Sequence, residues 1–194
     1  MHKLPTMKHF FPWLFHLIYY RLGNWKCNMA VPESLKKAVV LVVPHTATRD
    51  FPIGLGSSYE MHRKNGFLGK KEIFDGPFGF AFRALGGIPV DRSSKHNMVD
   101  QVVNIIKKEE EFFLVMSPEG TRKRTDRWKT GFYHIAKGLN APIICAYIDY
   151  KTKRVGLEHI VYPTDDEAAD FANIEAFYST VTAKYPEKFN PKIK

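Results

Sequence analysis

The 194-residue sequence predicts an α/β fold: a single-domain αβ sandwich with a largely parallel central sheet, preceded by an N-terminal amphipathic, aromatic-rich helical segment. Three observations point there. Short, wholly apolar, β-branched runs recur along the chain, as they do in strands covered on both faces. Segments with apolar residues at helical spacing alternate with those runs, as in successive βαβ units. The length suits one domain with a sizeable core, and no repeat or Pro/Gly/Ser-rich linker divides it.

The first element is the aromatic N-terminus, MHKLPTMKHFFPWLFHLIYYRLGNWK. Its densest apolar stretch, Phe10–Leu22, contains Pro12 and His16 and is shorter than the roughly 20 apolar residues that cross a bilayer. No small-residue cleavage site follows a clean apolar core, so a secretory signal does not fit. With Pro12 in its first turn, a helix is expected to run to about Leu22. Trp13, Phe15, Leu17, Ile18 and Tyr20 would form its apolar side, flanked by Lys8, Arg21 and Lys26. Two readings fit: an anchor lying in the headgroup layer of a membrane, or a helix docked on the protein's own core. Residues 1–30 are therefore set apart as an interfacial helical segment, and 31–194 as the main domain.

Val39–Val43 reads as a strand buried on both faces. Phe51–Arg63 follows as a helix, with Asp50 as its N-cap and Pro52 in its first turn. Gly66–Gly69 is a short strand, a helix lies within Glu72–Leu85, and Ile88–Val90 is a brief strand. In His96–Glu110 the residues Met98, Val99, Val102, Val103, Ile105 and Ile106 fall on one helical stripe. Phe112–Met116 is again strand, 117–130 has no apolar period and is a loop, and Phe132, Ile135, Ala136 and Leu139 place a helix at 131–139. Ile143–Ile148 and Arg154–Leu157 complete the strands, and Asp166–Tyr185 is a closing helix.

The charge balance is basic, 29 Lys+Arg against 20 Asp+Glu for a net +9. That favours an anionic partner: nucleic acid, phosphorylated metabolites or an anionic membrane. The aromatic N-terminus leans towards the membrane, and no aromatic RNA motif or recognition helix supports nucleic acid. Cys27 and Cys145 are too far apart for a CxxC pair and form no disulfide framework, so both are expected reduced in a cytosolic setting. The eight histidines are dispersed without HxxxH or HExxH spacing, and no metal site is expected.

Ligands of parallel α/β sheets bind beyond the carboxyl ends of the strands. Three polar clusters in this sequence occupy that position. PHTATRD (44–50) follows 39–43, Asp91-Arg92 follows 88–90, and SPEGTRKR (117–124) follows 112–116. His45 and Asp50 would lie about 140° apart on a regular helix, so they can meet only in a loop that folds back. There the carboxylate would fix one imidazole nitrogen while the other takes a proton from a substrate hydroxyl. In the third cluster, Gly120 is free to take a positive φ, and amides of the Glu119–Arg122 turn can face an anion. Arg122 adds a planar fork suited to phosphate, in a run whose only acid is Asp126 against Arg122, Lys123, Arg124, Arg127 and Lys129.

These residues, taken in order, resemble the glycerolipid acyltransferase family, whose bacterial type member is 1-acyl-glycerol-3-phosphate (lysophosphatidate) acyltransferase. The H-x4-D block is similar to His45–Asp50. The lysine stretch before a P-x-x-G turn resembles Lys70, Lys71 and Glu72 with Pro77 and Gly79. The second block resembles Gly87–Arg92, the PEGTR block Pro118–Arg122 with Lys129 and Gly131 following, and the apolar fourth block Ala141–Ile144. The likeness runs from about 39 to 149. Ser117 departs from it where an apolar residue usually precedes PEGTR, and Cys145 where a proline is common.

The resemblance implies acyl transfer from a thioester to the free hydroxyl of a lysophospholipid, lysophosphatidate first among them, without an acyl-enzyme. His45 would be the general base and Asp50 its orienting partner. Arg92, Glu119, Gly120, Thr121, Arg122 and Lys129 would shape the phosphate site. No cofactor is implied beyond the donor, acyl-CoA or acyl carrier protein. The partners would be these substrates and an anionic membrane surface, with no nucleic acid; the setting would be cytoplasmic, peripheral on the inner face of the membrane. Two other readings keep different functions open: the same chemistry on another lysolipid or an aminoacyl lipid, and a non-catalytic protein that binds anionic lipid. Cys145, mid-strand in an apolar run, reads as inert core rather than a nucleophile.

Overall fold

The computed structural model describes residues 7–90 and 95–193, and for 7–9 and 95–97 the backbone alone. The apolar runs form one seven-stranded sheet among these residues. Its strands in chain order are β1 (Lys26–Asn28), β2 (Lys37–Val43), β3 (Asn65–Lys70), β4 (Gly87–Val90), β5 (Phe112–Met116), β6 (Ile143–Asp149) and β7 (Arg154–Val161). The spatial order is β1-β7-β6-β2-β5-β3-β4. From β6 to β4 every pairing is parallel; β7 runs antiparallel to β6, and β1 pairs parallel with β7. The expected fold class is therefore the observed one, a mixed α/β domain on a mostly parallel sheet.

Strand alternation decides which helix covers which face. Val39, Leu41 and Val43 point to the side covered by α5 (Lys95–Lys107), α6 (Gly131–Leu139) and α7 (Glu167–Tyr178), against Val102, Ile106, Phe132, Ile135 and Ile174. Ala38 and Val40 point to the other side, where Met61 of α2 (Asp50–Met61) meets them. Full burial of such an aliphatic side chain stabilises the fold by about 1.5–3 kcal/mol. The chain leaves β2 through α2 towards β3 and leaves the adjacent β5 through α6 towards β6, in opposite directions and on opposite faces. A crevice opens between the carboxyl ends of strands at such a switch point.

The N-terminal segment is docked on the core and also leaves an apolar side open. Helix α1 (Met7–His16) lies against α2 at Gly56, where an added Cβ would stand 2.9 Å from the backbone of Phe15 and His16. His16 Nε2 lies 3.2 Å from Glu60 Oε1, and the Tyr20 hydroxyl donates to the Ile53 carbonyl at 2.9 Å. Phe10, Phe11, Trp13, Leu17, Ile18 and Leu22 remain exposed. Among the described residues no helix is long and apolar enough to cross a membrane.

Several element boundaries differ from expectation. Pro12 is the sixth residue of α1, not part of its first turn, and residues Leu17–Leu22 continue as a π-helical turn that ends at Gly23. The helix expected within 72–85 is two short ones, α3 (Lys71–Asp75) and α4 (Gly79–Ala84), because Gly76-Pro77 interrupts the ladder. Helix α7 stops at Tyr178 instead of Tyr185; Ser179 and Thr180 turn their hydroxyls onto the carbonyls of Ala176 and Phe177. Strand β1 was not foreseen, and it carries the sheet back to Lys26.

Candidate active site

The two loops that leave β2 and β5 meet because their strands are neighbours, with Leu41 paired to Met116. Beyond β2 the Val43–Pro44 peptide is cis, and His45 follows it. The His45 N–H donates to Glu119 Oε2 at 2.7 Å, and the Ser117 hydroxyl donates to the same oxygen at 3.3 Å. Arg122 closes the junction from its other side by donating to the Thr48 hydroxyl. The sequence motifs at 45–50 and 117–122 are thus one joined structure.

Asp50 is 2% exposed and is not the N-cap expected from the sequence. It is the first residue of α2; Arg49 holds the cap position in helical geometry with no side-chain cap bond. The carboxylate has other partners. Oδ2 accepts the Ala47 N–H at 2.8 Å and lies 3.4 Å from His45 Nδ1, while Oδ1 accepts the Tyr150 hydroxyl at 2.6 Å. The fold-back that the pair requires is therefore present. His45 Nδ1 faces the carboxylate, and its side chain stays 28% exposed.

Glu119 is 5% exposed and its carboxyl is pushed up to about 7. Burial is the first cause; the His45 amide, the His45 charge and the Ser117 hydroxyl oppose it, and Asp50 adds to it. The side chain to which the resemblance gave a phosphate-binding role thus faces the His45 loop. Gly120 has φ +66°, and the Lys129 ammonium lies 3.1 Å from where a Cβ on Gly120 would stand. Thr121, Arg122 and Lys129 are exposed beside it. Arg124 is taken up by the carbonyls of Glu187 and Phe189. Arg92 and Asp91 lie outside the described residues.

A cavity of about 1050 Å³ takes in His45 and Asp50, extending between α2 and the sheet and also to Met98, Val99, Trp128 and His134 on the side of α5 and α6. Gly54, Leu55, Ser57, Ser58 and Met61 line it from α2; Val40, Val42, Val115, Ala146 and Ile148 line it from the strands. Lys129 and Gly120 stand at its polar end with His45. That size equals the upper range of small-molecule pockets, and its walls are mostly apolar. Sequence reasoning missed this cavity, although the small residues Gly54, Ser57 and Ser58 on an otherwise apolar helix are a signal for it. It also missed Tyr150, for which the sequence carries no signal. Cys145 is fully buried with its thiol pushed up to about 12, chiefly by burial, the environment of an inert core cysteine. Among the described residues no cluster of His, Cys, Asp and Glu could hold a metal ion.

No curated protein sequence matches the chain. Among solved structures, the fold is similar to the 1-acyl-sn-glycerophosphate acyltransferase PlsC of Thermotoga maritima. The TM-score is 0.59 at 17% identity, over 89% of this chain and 77% of that one. The sequence model of the Acyltransferase family matches residues 26–149, the interval that holds β1 to β6, His45, Asp50 and the Glu119–Arg122 turn. By that match, which spans more than half of its length, the chain belongs to the Acyltransferase family.

Proposed function

We propose that the protein transfers a fatty acyl group from a thioester to the free hydroxyl of a lysophospholipid, with lysophosphatidate as the acceptor and phosphatidate as the product. The observation that carries this reading is the His45–Asp50 pair opening onto a long apolar cavity with Lys129 and Gly120 at its polar end. His45 Nε2 takes the acceptor's hydroxyl proton as its oxygen attacks the thioester carbonyl. The tetrahedral intermediate collapses, the thiolate leaves with the proton from the imidazolium, and an ester and a free thiol result. Asp50 holds Nδ1 and stabilises the positive ring. Arg122, Lys129, the Gly120 turn and Arg92 receive the phosphate. Thr121 and Glu119 shape that turn, Glu119 through the His45 amide. The donor is acyl-CoA or acyl carrier protein.

Residues 1–30 serve as the interfacial segment of this enzyme and 31–194 as its acyltransferase domain. The exposed aromatic side of α1 and the basic surface seat the protein peripherally on the inner, cytoplasmic face of an anionic membrane.

The test is turnover of oleoyl lysophosphatidate with palmitoyl-CoA, followed by phosphatidate formation. His45→Ala should lose at least 100-fold in kcat, on the order of a general base's contribution, and Arg122→Ala should raise KM for the acceptor. Full turnover by His45→Ala would overturn the mechanism. A wild-type protein that leaves lysophosphatidate untouched but acylates another lysolipid would overturn the acceptor alone.

A further inference from the structure

We propose that Tyr150 is a positioning residue of the His45–Asp50 pair, restraining the carboxylate's pull on the imidazole as well as fixing its orientation. The inference rests on the reading of His45 as the base. Tyr150 follows β6 in the turn towards β7, a hundred residues from Asp50 in sequence, and its hydroxyl donates to Oδ1 at 2.6 Å. The second oxygen takes the Ala47 N–H at 2.8 Å and faces His45 Nδ1 at 3.4 Å. The carboxylate is therefore gripped at both oxygens and cannot turn away from the ring without breaking a bond. Tyr150 is itself held in place: Trp25 packs edge-on against it at 5.1 Å, and the Lys184 ammonium sits 5.5 Å from its ring centre.

The hydroxyl also acts electrostatically. A hydrogen bond to a carboxylate draws electron density from it, so Asp50 stabilises the imidazolium less with Tyr150 present than without it. The other titratable and charged groups here are Glu119 on the His45 amide, Arg49 near the Tyr150 hydroxyl and over the Tyr19 ring, the Tyr19 phenol, and Lys184 over the Tyr150 ring. Burial, and then Asp50 itself, raise the phenol's pKa, so Tyr150 keeps its proton and remains a donor. Asp50 is almost wholly inaccessible to water while Tyr150 covers it, so solvent does not compete with the bond in the native chain.

The test is Tyr150→Phe, which keeps the ring and its Trp25 contact. In the 194-residue chain, the His45 ring is titrated by NMR, its signal assigned by loss in His45→Ala. The midpoint should rise by about 0.5–1 pH unit. An unmoved or lowered midpoint would overturn the proposal. In acyl transfer from palmitoyl-CoA to oleoyl lysophosphatidate, kcat should fall about 10-fold at unchanged KM, with the acid limb of the pH profile moved upward. In an Asp50→Asn background the same substitution should add nothing. A loss that persists there assigns the tyrosine to another part of the fold and refutes the idea. The NMR titration needs no substrate, so it decides the role of Tyr150 even if lysophosphatidate is not the acceptor; that separate failure would show as absent wild-type turnover.

Discussion

Glu119→Gln tests whether a buried carboxyl fastens the two motif loops together. In the folded chain this carboxyl is pushed up to about 7, against 4.5 when unperturbed. Between those values the folded state holds a proton that the unfolded state has released. Stability therefore falls as pH rises from about 4.5 through 7 and levels off above. A gap of about 2.5 pH units corresponds to roughly 3 kcal/mol, or roughly 6–12 °C in the midpoint of a chain this size. Glutamine keeps the shape and an oxygen to accept the His45 N–H, without the charge. Urea unfolding of both proteins from pH 5 to 8 isolates Glu119 together with its coupling to His45 and Asp50, since groups that do not interact with Glu119 cancel in the difference. The variant should gain on wild type by about 2.5 kcal/mol between pH 5 and pH 8. A difference that stays flat, or that widens towards acid, refutes the reasoning.

Other outcomes follow from packing. Tyr178→Phe strips the hydroxyl that donates to the carbonyls of Leu41 and Ala146 at 2.8 and 3.0 Å in a fully buried position; denaturant unfolding should show a loss of about 1–3 kcal/mol. Gly56→Val sets a branched side chain into backbone of α1 only 2.9 Å away; it should cost about 1–3 kcal/mol and speed proteolysis of residues 7–22. Removing residues 1–25 should lower co-sedimentation with anionic vesicles, and unchanged binding would take the α1 aromatics out of the membrane account.

Much of the fold was legible because it rests on local pattern. Phe112–Met116 and 131–139 match the observed β5 and α6 residue for residue, since five apolar residues in a row or an i, i+3, i+4, i+7 stripe leave little else to form. Pairing His45 with Glu119 was legible only as proximity: adjacent strands ending in polar motifs. What stayed hidden depends on distant residues. Asp50 looked like a cap because short acids favour that position, yet Ala47, His45 and Tyr150 already engage its oxygens. The three residues of β1 carry no period of their own and are strand only because β7 offers an open edge. The cavity depends on how far α2 stands from the sheet, and local sequence pattern does not set that distance.

The junction of β2 and β5 has a consequence for variation. Neighbouring strands lie about 4.8 Å apart, a spacing set by backbone hydrogen bonds whatever the side chains. The His45–Asp50 pair and the Glu119–Arg122 turn, the proposed reaction centre, are mounted on the loops that leave those two strands. The cavity walls that would measure an acyl chain come in part from these strands, but also from the helices α2, α5 and α6. On the proposed mechanism, mutation in the helices can therefore widen, shorten or reroute the cavity while the spacing of the two motif loops is kept, so chain selection and chemistry can drift independently within one scaffold.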